Sequence, residues 1–150
     1  MADSYVVLKA LHITAAVLMV GNVTVTGVWA TLYWRWRRDA DFRKAARAVL
    51  WTDLCFTFLG GAALTITGIL LARQASLSIL ETPWIRRSAL LLAISTLLWL
   101  TVLLPDQWRL ERLDDTGEEC RKAVFTRWSV VGWVSTVLLF VGLWSMVVKW

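Results

Sequence analysis

The chain has 150 residues, 58% of them hydrophobic, and a mean hydropathy of +0.60. Soluble domains carry roughly 45–50% apolar residues; the excess here is gathered into four long runs, which excludes an ordinary soluble fold. The net charge of +5 comes from 16 Lys and Arg against 11 Asp and Glu. The basic residues cluster at the ends of the runs, so membrane orientation and anionic headgroups account for them and no nucleic-acid partner is implied.

The runs are continuously apolar and exceed the ~20 residues a helix needs to cross a bilayer, whereas barrel strands alternate over ~10. The expected fold is an all-α integral membrane protein, a four-transmembrane-helix bundle in a single membrane domain. Span one is about Tyr5–Tyr33, and it has no basic leader or clear small-x-small cleavage site, so it reads as retained. On a helix at ~100° per residue, His12, Ala15, Met19, Asn22, Thr26 and Tyr33 share one sector, with Trp29 at its edge. Ile13, Val17, Val20, Val25 and Val28 lie opposite and are expected to face lipid or a second apolar surface. Lys9 is about 60° from His12, close enough to serve the same site or to reach the headgroups.

A basic connection follows at 34–47, with Arg35, Arg37, Arg38, Arg43, Lys44 and Arg47. Span two is about Ala48–Ala72 and contains Asp53, the one acid inside a span. A short link, Arg73–Pro83, leads to span three, about Trp84–Leu104, which Pro105 is expected to stop. The polar connection 105–127 contains a turn signal at Asp114-Asp115-Thr116-Gly117. Span four is about Trp128–Trp150. The Lys and Arg count places both connections in the cytosol and both termini outside. Trp34, Trp36, Trp51, Trp108 and Trp128 then fall at the inner interface, and Trp84, Trp144 and Trp150 at the outer one, as aromatic belts do. Cys55 and Cys120 form no CxxC pair, and a disulfide is not expected.

Several residues can carry chemistry. His12 lies about seven residues into the membrane, roughly 10 Å deep. There a neutral imidazole either ligates haem iron or another metal, or hydrogen-bonds a serine, threonine or backbone carbonyl of a neighbouring helix. Gly132, Ser135, Leu139, Gly142 and Met146 form a seam on span four at matching depth, so Met146 is a potential second axial ligand for a b-type haem, or a packing residue. A homodimer supplying His12 from each subunit is another route to two ligands. Arg86 and Arg87, with Lys9, suit haem propionates or anchor the interface. Asp53 shares a face with Thr57, Gly60 and Thr67, and its expected partners are Thr26, Thr101 and the serines near the start of span four. It is either part of a proton relay or a carboxylate placed near a helix N-terminus.

Leu8-Lys9-Ala10-Leu11-His12, Gly21-Asn22-Val23, Thr26-Gly27 and Trp29 resemble the opening of the DUF2269 family of bacterial integral membrane proteins. Trp51-Thr52-Asp53, the glycine-rich centre of span two, Leu103-Leu104-Pro105 and Trp128…Gly132-Trp133 fit the same family, whose activity is not established. More distantly, Leu11-His12 followed by Gly21 resembles membrane protoporphyrinogen oxidases of the HemJ type and the CopD copper-resistance group. That resemblance implies haem b at His12; the chain has no further histidine and no match to the later lysine motif of the HemJ type. The expectation is thus a multi-pass protein of the bacterial inner membrane that binds haem b or a related porphyrin through His12. Its role would be electron transfer or haem-related redox, with a membrane redox partner or a second copy of the chain. The alternative is a cofactor-free accessory, scaffold or small transporter component.

Overall fold

A computed structural model describes residues 2–36, 42–112 and 118–149. Helix α1 is Ala2–Arg35. Helix α2 (Phe42–Thr52) runs through a π-helical turn, Asp53–Phe58, into α3 (Leu59–Gln74). Helix α4 (Pro83–Leu98) runs through a second π-helical turn, Trp99–Leu103, into α5 (Leu104–Arg112), and α6 is Glu118–Val148. The four rods so formed are each long and apolar enough to cross a membrane. α1, at 34 residues, is about 50 Å long and outreaches a hydrocarbon core of ~30 Å.

The breaks between rods follow local chemistry. α3 ends in a 6→1 hydrogen bond from the Leu77 N–H to the Ala72 carbonyl (2.9 Å), with Ser76 in the left-handed region at φ 55°. This is the C-terminal motif in which glycine is the usual occupant. α4 opens with Pro83 at its first turn, where the missing N–H costs nothing. Pro105 does not stop the third rod. The π-helical turn just before it changes the hydrogen-bond register where the proline ring would otherwise press on the preceding carbonyl, and the helix continues to Arg112. α6 likewise begins at Glu118, ten residues before Trp128. The turn signal at Asp114–Gly117 and the side chains of Arg37, Arg38 and Arg43 lie outside the described residues, as does Trp150.

The rods form two antiparallel pairs, α1 with α3 and α4 with α6. The end carrying connections 36–42 and 112–118 is called the basic end here, and the other the terminal end. The pairs meet along α1 and α6, and again at the basic end, where α2 packs on α5. α1 and α3 approach closely because glycines line the contact: a Cβ at Gly60 would stand 3.2 Å from the Met19 Cβ, and one at Gly68 3.1 Å from the His12 Cε1. The α4–α6 seam adds two interhelical hydrogen bonds, Ser88 Oγ to the Gly142 carbonyl (2.8 Å) and Ser95 Oγ to the Ser135 carbonyl (3.2 Å). The basic end is closed by Ala30, Trp99, Leu103, Leu110, Phe125 and Trp128, with Trp34 stacked on Phe125 at 4.2 Å. Charged pairs tie it further: Arg47 Nε to Glu111 Oε1 at 3.0 Å, and Arg127 to Asp106 through two bonds of 2.8 and 2.5 Å.

Ile13, Val17, Val25 and Val28 are exposed on the surface that a bilayer would cover. Val20, of the same sector, meets a second apolar surface and is buried with Met19 and Leu139. α1 has two neighbours, and Val20 faces the second, α6, a side that polar residues do not mark.

One pairing is missing. α3 and α4 nowhere bring Cα atoms within 8 Å of each other, although packed helices have axes only ~8–10 Å apart. The bundle is therefore open on one side.

Candidate functional site

The opening between α3 and α4 leads into a cavity of about 360 Å³, within the size range of small-molecule sites. Its α3 wall includes Ala62, Thr65 and Ile66, with Phe58 from the π-helical turn before it, and its α4 wall Leu92, Ser95 and Thr96. Met19, Val23 and Thr26 of α1 and Gly132, Thr136 and Leu139 of α6 close the back. Phe58 and Trp99 bring their ring centroids to 6.3 Å, bridging the two pairs at the basic end of the opening.

The floor of this chamber is polar: Asp53 and Thr57 of the first π-helical turn meet Asn22 of α1 and Gln107 of α5, with Trp99 of the second π-helical turn beside them. Asp53, 4% exposed, accepts hydrogen bonds at Oδ1 from Asn22 Nδ2 (2.9 Å) and Thr57 Oγ1 (3.4 Å), and at Oδ2 from Gln107 Nε2 (2.6 Å). Asn22 Nδ2 also reaches Thr57 Oγ1 at 3.1 Å. The Trp99 indole lies beside Asp53, but its N–H stops short of a hydrogen bond with it. The carboxylate is thus solvated by neutral donors, and among the described residues no cation pairs with it. Asp53 follows α2 without a break, so it is not a carboxylate at a helix N-terminus. π-helical turns are uncommon and gather at functional sites; here the two each send an aromatic ring, Phe58 and Trp99, toward the other across the opening.

Of the partners expected for Asp53, Thr26 lines the chamber, while Thr101 is exposed and bonds the Leu97 carbonyl of its own helix at 2.7 Å. Asn22 is a direct partner. Gln107 is the partner that sequence reading misses, because Pro105 puts it in a connection. Its signal is nonetheless present: the stripe Trp99, Leu103, Gln107, Leu110 keeps helical spacing straight through the proline, and all four are buried. Buried polar atoms without partners gather at the same place. They include Gln107 Oε1, Trp128 Nε1 and Ser129 Oγ, all from residues of the chamber wall.

His12 sits elsewhere, on the α1–α3 contact toward the terminal end. Its Nδ1 is 2.9 Å from Thr67 Oγ1, and that hydroxyl is 2.6 Å from the Ala63 carbonyl, which takes its single proton. Nδ1 is therefore the donor, and Nε2 is the nitrogen with the free lone pair. The hydrogen bond to a threonine of a neighbouring helix is one of the two arrangements the sequence allows. Met146 ends a seam whose Ser135 and Gly142 pack on α4, and neither it nor His12 lines the chamber. Lys9 is exposed. Arg86 Nη1 bonds the Leu80 carbonyl at 3.0 Å and Arg87 Nε the Pro83 carbonyl at 3.4 Å, both within their own connection and helix start. Among the described residues no group of three or more His, Cys, Asp or Glu stands together to hold a metal ion.

A family model described as a predicted integral membrane protein (DUF2269) matches residues 6–150. No curated protein and no solved structure matches the chain.

Proposed function

The chain belongs to the DUF2269 family of predicted integral membrane proteins, and on that premise we propose that it binds a small amphiphile drawn from the bilayer into the chamber between its two helix pairs. The observation that carries this reading is the absent α3–α4 contact. It leaves an apolar cavity of about 360 Å³ open on the flank of the bundle, with a hydrogen-bonding floor at Asp53. Closed bundles spend such surface on packing. Here Thr65, Ile66 and Thr96 stay exposed at the opening and line the cavity. The role is that of a carrier or a small transporter component. The protein is extracted with its native lipid in polymer nanodiscs, and its small molecules are compared by mass spectrometry with those of Ala62→Trp, which fills the opening from an exposed position. A compound enriched with the wild type and lost in the variant is expected. Equal lipid extracts from both would refute the reading.

A second reading, b-type haem at His12, is supported by one observation, the free Nε2 lone pair implied by the Thr67 bond. His12 would be the axial ligand, and the group would supply one-electron chemistry. Met146 would be the second ligand and Arg86, Arg87 and Lys9 the propionate partners, and a second copy of the chain would be needed for a bis-His pair. The test is an absorption spectrum, oxidised and dithionite-reduced, of protein expressed with haem supply. A Soret band lost in His12→Ala sustains this reading, and a flat spectrum removes it. In the same proposal both termini lie outside a bacterial inner membrane, on the Lys and Arg distribution.

A further inference from the structure

The charge of the ligand follows from the chamber's electrostatics. Among the described residues lining it there is no Lys, Arg or His, and Asp53 is the sole ionisable side chain in the wall. Its carboxylate is hydrogen-bonded by Asn22, Thr57 and Gln107, all neutral. Neutral donors solvate an anion without cancelling its charge. In a low-dielectric chamber open to lipid, that charge draws a cation and repels an anion. One unmet need in the wall has the same sign: Gln107 Oε1, on a residue 2% exposed, is a buried acceptor with no donor, while the unpartnered indole N–H groups of Trp99 and Trp128 call for a neutral acceptor and not for an anion's charge. A ligand that carries N–H hydrogens and a positive charge satisfies both oxygens at once. The walls suit such a group too, since Phe58, Trp99, Trp128 and Trp133 supply aromatic rings that attract cations.

We infer that the chamber selects a lipophilic ammonium ion, a protonated amine on an apolar body, with its nitrogen at Asp53 and Gln107 and its body toward the α3–α4 opening. This rests on the chamber being a ligand site, as proposed above, and adds the class of ligand. An anionic lipid head finds no counter-charge in the wall. A neutral alcohol leaves the carboxylate unpaired.

The test uses the full chain in nanodiscs of zwitterionic lipid at pH 7, with empty nanodiscs as the blank. Three probes of similar length are titrated while tryptophan fluorescence is followed: 4-phenylbutylamine (cationic), 4-phenylbutanol (neutral) and 5-phenylvalerate (anionic). The expected result is saturable binding of the amine at least tenfold tighter than the alcohol, with no saturable signal from the acid. Asp53→Asn is expected to bring amine and alcohol within twofold of each other. An amine no tighter than the alcohol in the wild type, which needs no variant to fold, overturns the inference while leaving the chamber reading standing. So does a preference that survives in a folded Asp53→Asn protein. If none of the three binds saturably, or if Ala62→Trp binds all of them as the wild type does, the chamber reading falls as well.

Discussion

Replacing glycine by alanine at two places on the membrane-spanning helices should have opposite effects. At Gly60 the new Cβ would stand 3.2 Å from the Met19 Cβ and 3.6 Å from both the Met19 Cα and the Ala15 carbonyl oxygen. Carbon pairs are relaxed at about 3.5–4.0 Å, so α1 would have to retreat by a few tenths of an ångström. Little else can yield: Met19 is 3% and Ala15 6% exposed, and the atoms met first belong to backbone and Cβ rather than to a flexible tip. Overpacking of this kind costs about 1–3 kcal/mol. The helix-propensity gain of alanine over glycine is at most about 1 kcal/mol, and less where the unfolded reference in micelles stays helical. Gly60→Ala should therefore lose about 1–2 kcal/mol. At Gly21 a Cβ meets nothing within 4 Å, so Gly21→Ala should be neutral or gain up to about 1 kcal/mol. The assay is unfolding by dodecyl sulfate titrated into mild detergent, followed by circular dichroism. Midpoints that move together, or a more stable Gly60→Ala, would refute the close α1–α3 approach. Met19 and Gly61 line the chamber, so the Gly60 variant should also weaken ligand retention, and Gly21→Ala should not.

Asp53→Ala strands the donors of Asn22, Gln107 and Thr57, whereas Asp53→Asn keeps an acceptor for some of them. The alanine variant should be the less stable by about 1–3 kcal/mol in the same assay. Ser76 holds a left-handed φ of 55°, so Ser76→Gly should stabilise by about 1 kcal/mol and raise the thermal midpoint in detergent. Thr67→Val removes the acceptor of His12 at nearly constant volume; a loss of about 1 kcal/mol is expected, with no further loss on adding His12→Ala if the two act only through each other. Ser88→Ala and Ser95→Ala each remove one interhelical bond between α4 and α6, and because such bonds average only about 0.6 kcal/mol in membranes, each should cost less than the Gly60 variant.

The four spans were legible in the sequence because twenty or more apolar residues have few other uses, and the helical sector of α1 was legible because Asn22 and Thr26 stand out against an apolar ground. Asp53 could be singled out for the same reason. Its surroundings could not. Gln107 lies beyond Pro105, where local steric rules end a helix, and only the turn of altered register before the proline carries it into the bundle. The placement of His12 at α3 rather than α6 turns on which helices are neighbours. Glycines at 27, 60, 68, 132 and 142 mark helix faces without naming partners, so depth matching pointed to α6 while the close approach of Gly60 and Gly68 belongs to α3. The opening between α3 and α4 is a contact that does not form, and no residue type announces one.

The two turns of altered register have a consequence for how such a site can come and go. A π-helical turn accommodates one residue more than the α-helix on either side of it. Deleting one residue from Asp53–Phe58, or from Trp99–Leu103, leaves a rod that still spans the bilayer and still presents apolar surface to lipid. Because the wide turn holds that extra residue as a bulge, the deletion restores an ordinary α-helical turn, leaves the helices on either side facing as before, and changes which side chains of the turn itself point inward. Such a change would disturb Asp53 and Thr57 inside the first turn, or Trp99 inside the second, while the protein went on inserting and folding as a four-rod bundle. The chamber floor is thus separable from the architecture by a single codon, and chains of this build can differ in what they hold while remaining indistinguishable in hydropathy.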